Sequence, residues 1–275
     1  MTFRKILVPL AGIDEDAVAF DAAFLVGSES EAHLEVLHTV PAAAARIGSS
    51  SVKDAHESSV KGLRARVRAL YRNRCGTFDV LGSNAACKVG LSARLVEAFG
   101  SEAELIACHG RLADLIILAR PSIPQHAWPN LSLEAALRET GRPVLVVPRP
   151  IDELGSRVVI GWNGSAEASR AMAYALPILR GASNVLVVTV GQRIIHPPGP
   201  AVVEYLGHHG IAAKSTVVAD QDQTDAASFA DSCLEHRADL IIMGAFTRQS
   251  SGSPVFGSMT EKMIRQVEWP VFMAH

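Results

Sequence analysis

What this chain lacks narrows its class before any motif is read. Across 275 residues there are four cysteines, Cys75, Cys87, Cys108 and Cys233. They form no CxxC pair and no zinc-type spacing, which argues against a disulfide scaffold and for a reduced, cytosolic protein. No apolar stretch reaches about 18 residues, so no membrane helix is expected. The N-terminal MTFRKILVPLAG is basic and then apolar, but Pro9 and Gly12 break the run and Asp14-Glu15-Asp16 follow at once, so a signal peptide is not expected. Formal net charge is -2, so no global field selects for nucleic acid or membrane. GxxxxGK[ST], GxSxG and HExxH are all missing, which removes the Walker-type phosphate loop, the nucleophile elbow and the zincin helix.

What is present is an ordinary globular mix, 48% hydrophobic and 20% charged, long enough for two domains. The chain also repeats itself. Arg4-Lys5-Ile6-Leu7-Val8-Pro9-Leu10-Ala11-Gly12 is similar to Arg157-Val158-Val159-Ile160-Gly161-Trp162-Asn163-Gly164. RLADLIILA (111–119) matches RADLIIMGA (237–245), and GRPVLVVP (141–148) matches EWPVFMAH (268–275). Matches in the same order imply a duplicated domain, with a period too long for a solenoid. The Pro- and Gly-punctuated segment 148–155 marks a boundary, giving domains 1–150 and 151–275.

Each half alternates strands and helices. Solid apolar runs such as Val158–Gly161 and Val185–Val190 read as strands covered on both faces, hence a parallel sheet between helices. Ser165 is an expected N-cap, with Ala168, Met172 and Leu176 on one helical face. Helices are expected over 199–209, 225–236 and, in the first half, from about Val52 to Arg74. In such a doubly wound sheet, ligands bind beyond the C-terminal strand ends where strand order reverses. The loop MGAFTRQSSGSPVFGS (243–258), rich in Gly and Ser, joins a strand to a helix there. Backbone N–H groups at the helix entry, with the Ser258 and Thr260 hydroxyls, are suited to a phosphate; a plain surface connection with a Ser N-cap fits the same pattern.

Strand, G-x2-G-x9-G-S/T, helix and a closing PV strand form the nucleotide motif of universal stress proteins. The chain resembles a tandem member of that family over nearly its whole length, through ILVPLAG, VVIGWNGSAEASRAM, both ADLII segments and both PV strands. The resemblance implies two Rossmann-like domains of the adenine nucleotide alpha hydrolase-like type, each with five parallel strands flanked by helices. It implies a cytoplasmic stress-response role and, in a subset of members, ATP binding, with Mg entering only with the nucleotide. It also implies that the PV strands, which make the dimer contact in the family, pair within this chain as an intramolecular pseudo-dimer; a further homodimer is compatible with this.

Carried over by position, Met243 and Gly244 open the motif, Thr247 stands in for its second glycine, and Gly257 and Ser258 close it at the family spacing, followed by Met259 and Thr260. Trp162, Asn163 and Gly164 end the first strand, with Asn163 replacing the usual acidic residue. Val190 falls where family backbone groups meet adenine. A Thr is hindered at positive φ, so a loop needing that conformation at Thr247 would be weakened. Arg248 is either a phosphate cation or a solvated loop arginine. The first half departs further: Ala11 and Ala119 occupy the acidic and first glycine positions, Arg120-Pro121 follow, and 122–130 carry no G-S. Arg120, His126 and Trp128 could make another small-molecule pocket, or Trp128 could simply pack on the sheet.

Other constellations weigh less. His208-His209 and Cys108-His109 are sequence neighbours whose side chains diverge on a helix, so both read as helix ends. Lys61, Arg64, Arg68 and Arg72 form a basic stripe opposite Leu63, Val67 and Leu70. Without interleaved aromatics it reads as a solvated face rather than a nucleic-acid surface. The expectation is a nucleotide-responsive binding module with an unknown protein partner, not an enzyme beyond slow ATP hydrolysis. The rival is an interaction protein with both sites vestigial.

Overall fold

The computed structural model describes residues 2–40, 50–77, 90–120, 131–191, 195–219, 224–248, 254–256 and 258–275. The chain divides into two compact units, Phe3–Arg142 and one built on Pro143–His275. Both are mixed α/β, with mostly parallel strands flanked by helices.

In the first unit the order is β1 Lys5–Leu10, α1 Asp16–Ser30, β2 His33–Val40, α2 Ser50–Thr77, β3 Ser92–Phe99, α3 Glu102–Gly110, β4 Leu115–Ala119 and α4 Leu131–Glu139. The strands run parallel, β3-β2-β1-β4. Ile6, Leu7 and Val8 of β1 and Leu115, Ile116 and Ile117 of β4 are fully buried, as helices on both faces require. Helix α1 fits closely because its inner face is largely alanine, with Phe20 and Phe24 filling the remaining space.

The second unit runs β5 Val144–Val147, β6 Arg157–Gly161, α5 Ala166–Leu179, β7 Asn184–Val190, α6 Gly199–His208, β8 Ala213–Val218, α7 Asp225–Glu235, β9 Leu240–Gly244, the short strands β10 Phe246–Arg248 and β11 Pro254–Phe256, α8 Ser258–Gln266 and β12 Val271–Ala274. Its sheet order is β5-β12-β9-β6-β7-β8, with β5 alone antiparallel. The expected pairing of the two PV strands is present: Val144, Leu145 and Val146 face Met273, Phe272 and Val271. That pairing explains why the units part at Arg142/Pro143, one strand ahead of the Pro- and Gly-punctuated segment. Leaving aside the short β10–β11 pair, each half of the sequence supplies five strands, and the first half's fifth strand belongs to the second unit.

The repeated ADLII segments share a structural task. Asp114 accepts hydrogen bonds from the backbone N–H groups of Arg4 and Lys5, at 2.8 and 2.9 Å. Asp239 does the same for Gly155 and Arg157, at 2.9 and 2.8 Å. Each carboxylate satisfies N–H groups around the start of its half's first strand, which would otherwise lack partners.

Candidate functional site

In the second unit the chain runs one way from β6 to β7 and β8, and the other way from β9 to β12, so the switch point lies between β6 and β9. At the end of β6, Trp162 is buried and its indole N–H donates to the Pro197 carbonyl at 2.8 Å. Gly164 has φ 72°, and a Cβ there would lie 2.8 Å from the His196 carbonyl oxygen. Only glycine lets the segment around His196 come down so closely. Exposed Asn163 accepts the Ser165 N–H at 3.1 Å, and the Ser165 hydroxyl accepts the Ala168 N–H at 3.1 Å, capping α5 as expected. Val190 ends β7 half-buried, in register with Val218.

At the end of β9, Met243 is buried and Gly244 lies flush against α5. A Cβ at Gly244 would be 2.9 Å from both the Ala168 nitrogen and the Glu167 Cβ. The buried Thr260 hydroxyl, in the first turn of α8, points back to the Gly244 carbonyl at 3.5 Å. The N-termini of α5 and α8 therefore meet at one glycine, and their partial positive ends converge there. Met259 is half-buried beside Thr260.

The loop itself differs from the sequence expectation. Thr247 lies in β10, paired antiparallel with Val255 of β11, and Arg248 pairs with Pro254. Thr247 is thus extended, a conformation that β-branched residues favour, and the positive φ on which its hindrance was conditional is not adopted in this pairing. The side chains of Thr247, Arg248 and Ser258, and Gly257 entirely, lie outside the described residues.

The corresponding corner of the first unit is closed. Three backbone N–H groups after β1, from Ala11, Gly12 and Ile13, donate to the Asp16 carboxylate at 3.1, 2.6 and 3.2 Å. Burial pushes the Asp16 carboxyl above its ordinary range, only partly offset by these bonds and by His38, itself bonded to the Leu10 carbonyl at 2.9 Å. Gly12 has φ 85°, and a Cβ there would lie 2.9 Å from the Leu63 Cβ and carbonyl oxygen, so the backbone of α2 sits directly on the loop. Ala119 ends β4, and the pocket residues His126 and Trp128 lie outside the described residues. Sequence reasoning passed over Asp16, which stands third in the acidic run Asp14-Glu15-Asp16, so nothing local marked it out from its two neighbours.

Three arginines of the basic stripe bond within the chain. Arg64 and Arg68 both hold Glu97 on β3, with Arg64 contacts of 2.8 and 2.9 Å. The Arg72 guanidinium bonds to the Arg68 carbonyl. His109 does not pair with Cys108 but with Glu35 at 2.6 Å, and Glu35 also holds Lys5 at 2.9 Å. Burial raises the Glu35 carboxyl, yet these partners prevail and leave it below its ordinary range. Cys233 is buried and its thiol is pushed up to about 12, an inert core sulfur. Among the described residues no group of three or more His, Cys, Asp or Glu side chains is placed to hold a metal ion. Among them too, no helix is long and apolar enough to cross a membrane.

A doubly wound α/β repeat with its switch point at a glycine strand end defines the structural class, and solved structures give it a name. A universal stress protein from Archaeoglobus fulgidus DSM 4304 superposes with a TM-score of 0.66 at 16% identity, covering 98% of this chain and 97% of that one. A universal stress protein from Pseudomonas aeruginosa UCBPP-PA14 gives 0.60, and a protein of unknown function from Pseudomonas aeruginosa PAO1 gives 0.59, each at 16% identity and covering 98% of this chain and 92% of its own. The chain has the universal stress protein fold over nearly its whole length. No family model matches the sequence, and no curated protein matches it.

Proposed function

We propose that the chain is a tandem universal stress protein, a cytoplasmic stress-response module that binds ATP or a related adenine nucleotide in residues 151–275 and not in 1–150. The observation that carries this reading is the meeting of the α5 and α8 N-termini at Gly244. Two converging helix N-termini favour a phosphate more than one does. Adenine would lie toward Val190, and the phosphates toward Gly244, Gly257 and Ser258. Mg would enter only with the nucleotide. The module binds rather than turns over, with slow hydrolysis as its ceiling, and nucleotide would hold the segment around β10 and β11 in the form a protein partner reads. The β5–β12 pairing supplies within one chain the strand contact that the resemblance implies between protomers.

A second reading, an interaction protein with both sites vestigial, has its own support. Asn163, Ser165 and Thr260 already spend their polar groups on local backbone partners. The deciding experiment is mass spectrometry of the denatured, purified full chain for co-purifying nucleotide, followed by calorimetric titration with ATP. An adenine nucleotide in the eluate, or saturable heat, supports the first reading. An empty protein that takes up no ATP at about 1 mM, a binding free energy weaker than about -4 kcal/mol, leaves the second.

A further inference from the structure

Helix α2 is held differently from its neighbour α1. Helix α1 buries eight residues, whereas among the described side chains of α2 only Val67 is fully buried. Leu63, Leu70 and Tyr71 are half-buried, Tyr71 stacking on Phe20 with ring centroids 6.2 Å apart and donating its hydroxyl to the Ala93 carbonyl at 2.9 Å. Much of the seating is instead ionic. Arg66 holds Asp14 in the β1–α1 loop, Arg64 and Arg68 grip Glu97 on β3, and Arg74 binds Asp21 on α1 at 2.7 and 2.8 Å. These pairs tie one helix to three separate elements while its backbone presses on Gly12.

We propose that α2 is an electrostatically latched cover over the end of β1, one that lifts as ionic strength rises. Arg66, Arg68 and Asp14 are well exposed, at 54, 49 and 96%, so salt reaches the latch. The little apolar surface under α2 is less affected by salt. Lifting it uncovers the Ala11–Ile13 loop together with Leu63, Val67 and Tyr71, and so gives the closed first half an open form whose population follows the ion content of its surroundings. The device does not depend on nucleotide binding by the second half.

Hydrogen exchange of the full chain, followed by mass spectrometry in KCl from about 0.01 to about 1 M, tests this, since the Debye length falls from about 30 to about 3 Å across that range. Exchange over 58–76 and 11–13 should speed up about tenfold, as expected when several partly exposed ion pairs weaken together, while β6 and β9 stay unchanged and report that the chain remains folded. Glu97→Gln should exchange fast over 58–76 already at low salt, with a flatter salt dependence. Val67→Ala should also exchange faster but keep the full salt dependence, because it loosens packing and leaves the latch intact. Salt-independent protection of α2 overturns the proposal, as does a Glu97→Gln variant with the wild-type salt response.

Discussion

At the scale of single residues, Thr247 and Gly244 divide the site between them. A glycine at position 247 would relieve nothing, because the threonine is already extended and paired with Val255. It would instead weaken β10 by roughly 0.5–1 kcal/mol. Thr247→Gly is therefore expected to bind ATP no tighter than wild type in calorimetric titration; a tenfold gain would mean that the bound loop adopts a different backbone. Gly244→Ala acts on space. Its methyl would sit 2.9 Å from the Ala168 nitrogen, a backbone atom that yields only if α5 shifts. The expected cost is about 1–3 kcal/mol of stability, read from the midpoint of urea unfolding at unchanged slope. The contrast shows what was legible. Gly244 could be picked out as the first glycine of the motif that the resemblance supplies; that it lets α5 meet the strand end came only with the fold. The strand conformation of Thr247 was hidden, because TRQSSGSP reads as loop by composition and its pairing depends on Val255, eight residues on. Asp114 and Asp239 were quoted as motif letters, but their work is done more than eighty residues away in sequence, where no local pattern reports it.

At the scale of elements, apolar runs revealed the central strands, which are covered on both faces and so apolar throughout, and helical spacing revealed helices such as α5; the edge strands β3 and β8 carry polar, exposed positions, and β10 and β11 gave no such run. What these patterns could not reveal was where α2 sits. Arg64 and Arg68 read as part of a solvated face and Arg66 and Arg74 were not singled out; their partners Glu97, Asp14 and Asp21 lie on a strand, a loop and a helix that meet only in the fold. The Arg64 hydrogen bonds, opposed by burial and reinforced by Arg68, lower the Glu97 carboxyl to about 2 from an ordinary value near 4.5. The sign follows from linkage: a carboxyl depressed in the folded state stabilises it fully above the unfolded value, and that contribution is lost as pH falls toward the folded one. The stability gap between wild type and Glu97→Gln should therefore be widest above pH 5 and narrow steadily toward pH 2. Urea unfolding across that range measures it, and a gap that stays constant would show that the Arg64–Glu97 and Arg68–Glu97 pairs do not stabilise the folded chain.

At the scale of the whole molecule, the two halves share a strand order and differ in their strand-end chemistry. In the first, Asp16 occupies the N–H groups of the loop after β1 and α2 lies on Gly12; in the second, the segment around His196 lies on Gly164 at the equivalent strand end, and Gly244 at the end of β9 meets two helix N-termini. One nucleotide per chain is the expected stoichiometry. The measurement belongs on the full chain, because cutting at 150/151 would separate β5 from β12 and bare an apolar edge on each piece. Calorimetry should give one site, and ATP at about a hundredfold over its Kd should add about 2.7 kcal/mol to the stability of the unit that binds it. Hydrogen exchange locates that unit: protection should rise at the β6–α5 junction and at the start of α8, and stay unchanged at Ala11–Ile13. Gly244→Val, whose larger side chain meets α5 more severely, should weaken binding at least tenfold, or about 1.4 kcal/mol. Two sites per chain, or protection that appears at Ala11–Ile13 instead, would place the nucleotide in the half that Asp16 and α2 close, and the asymmetry argued from Gly12 and Gly244 would fail.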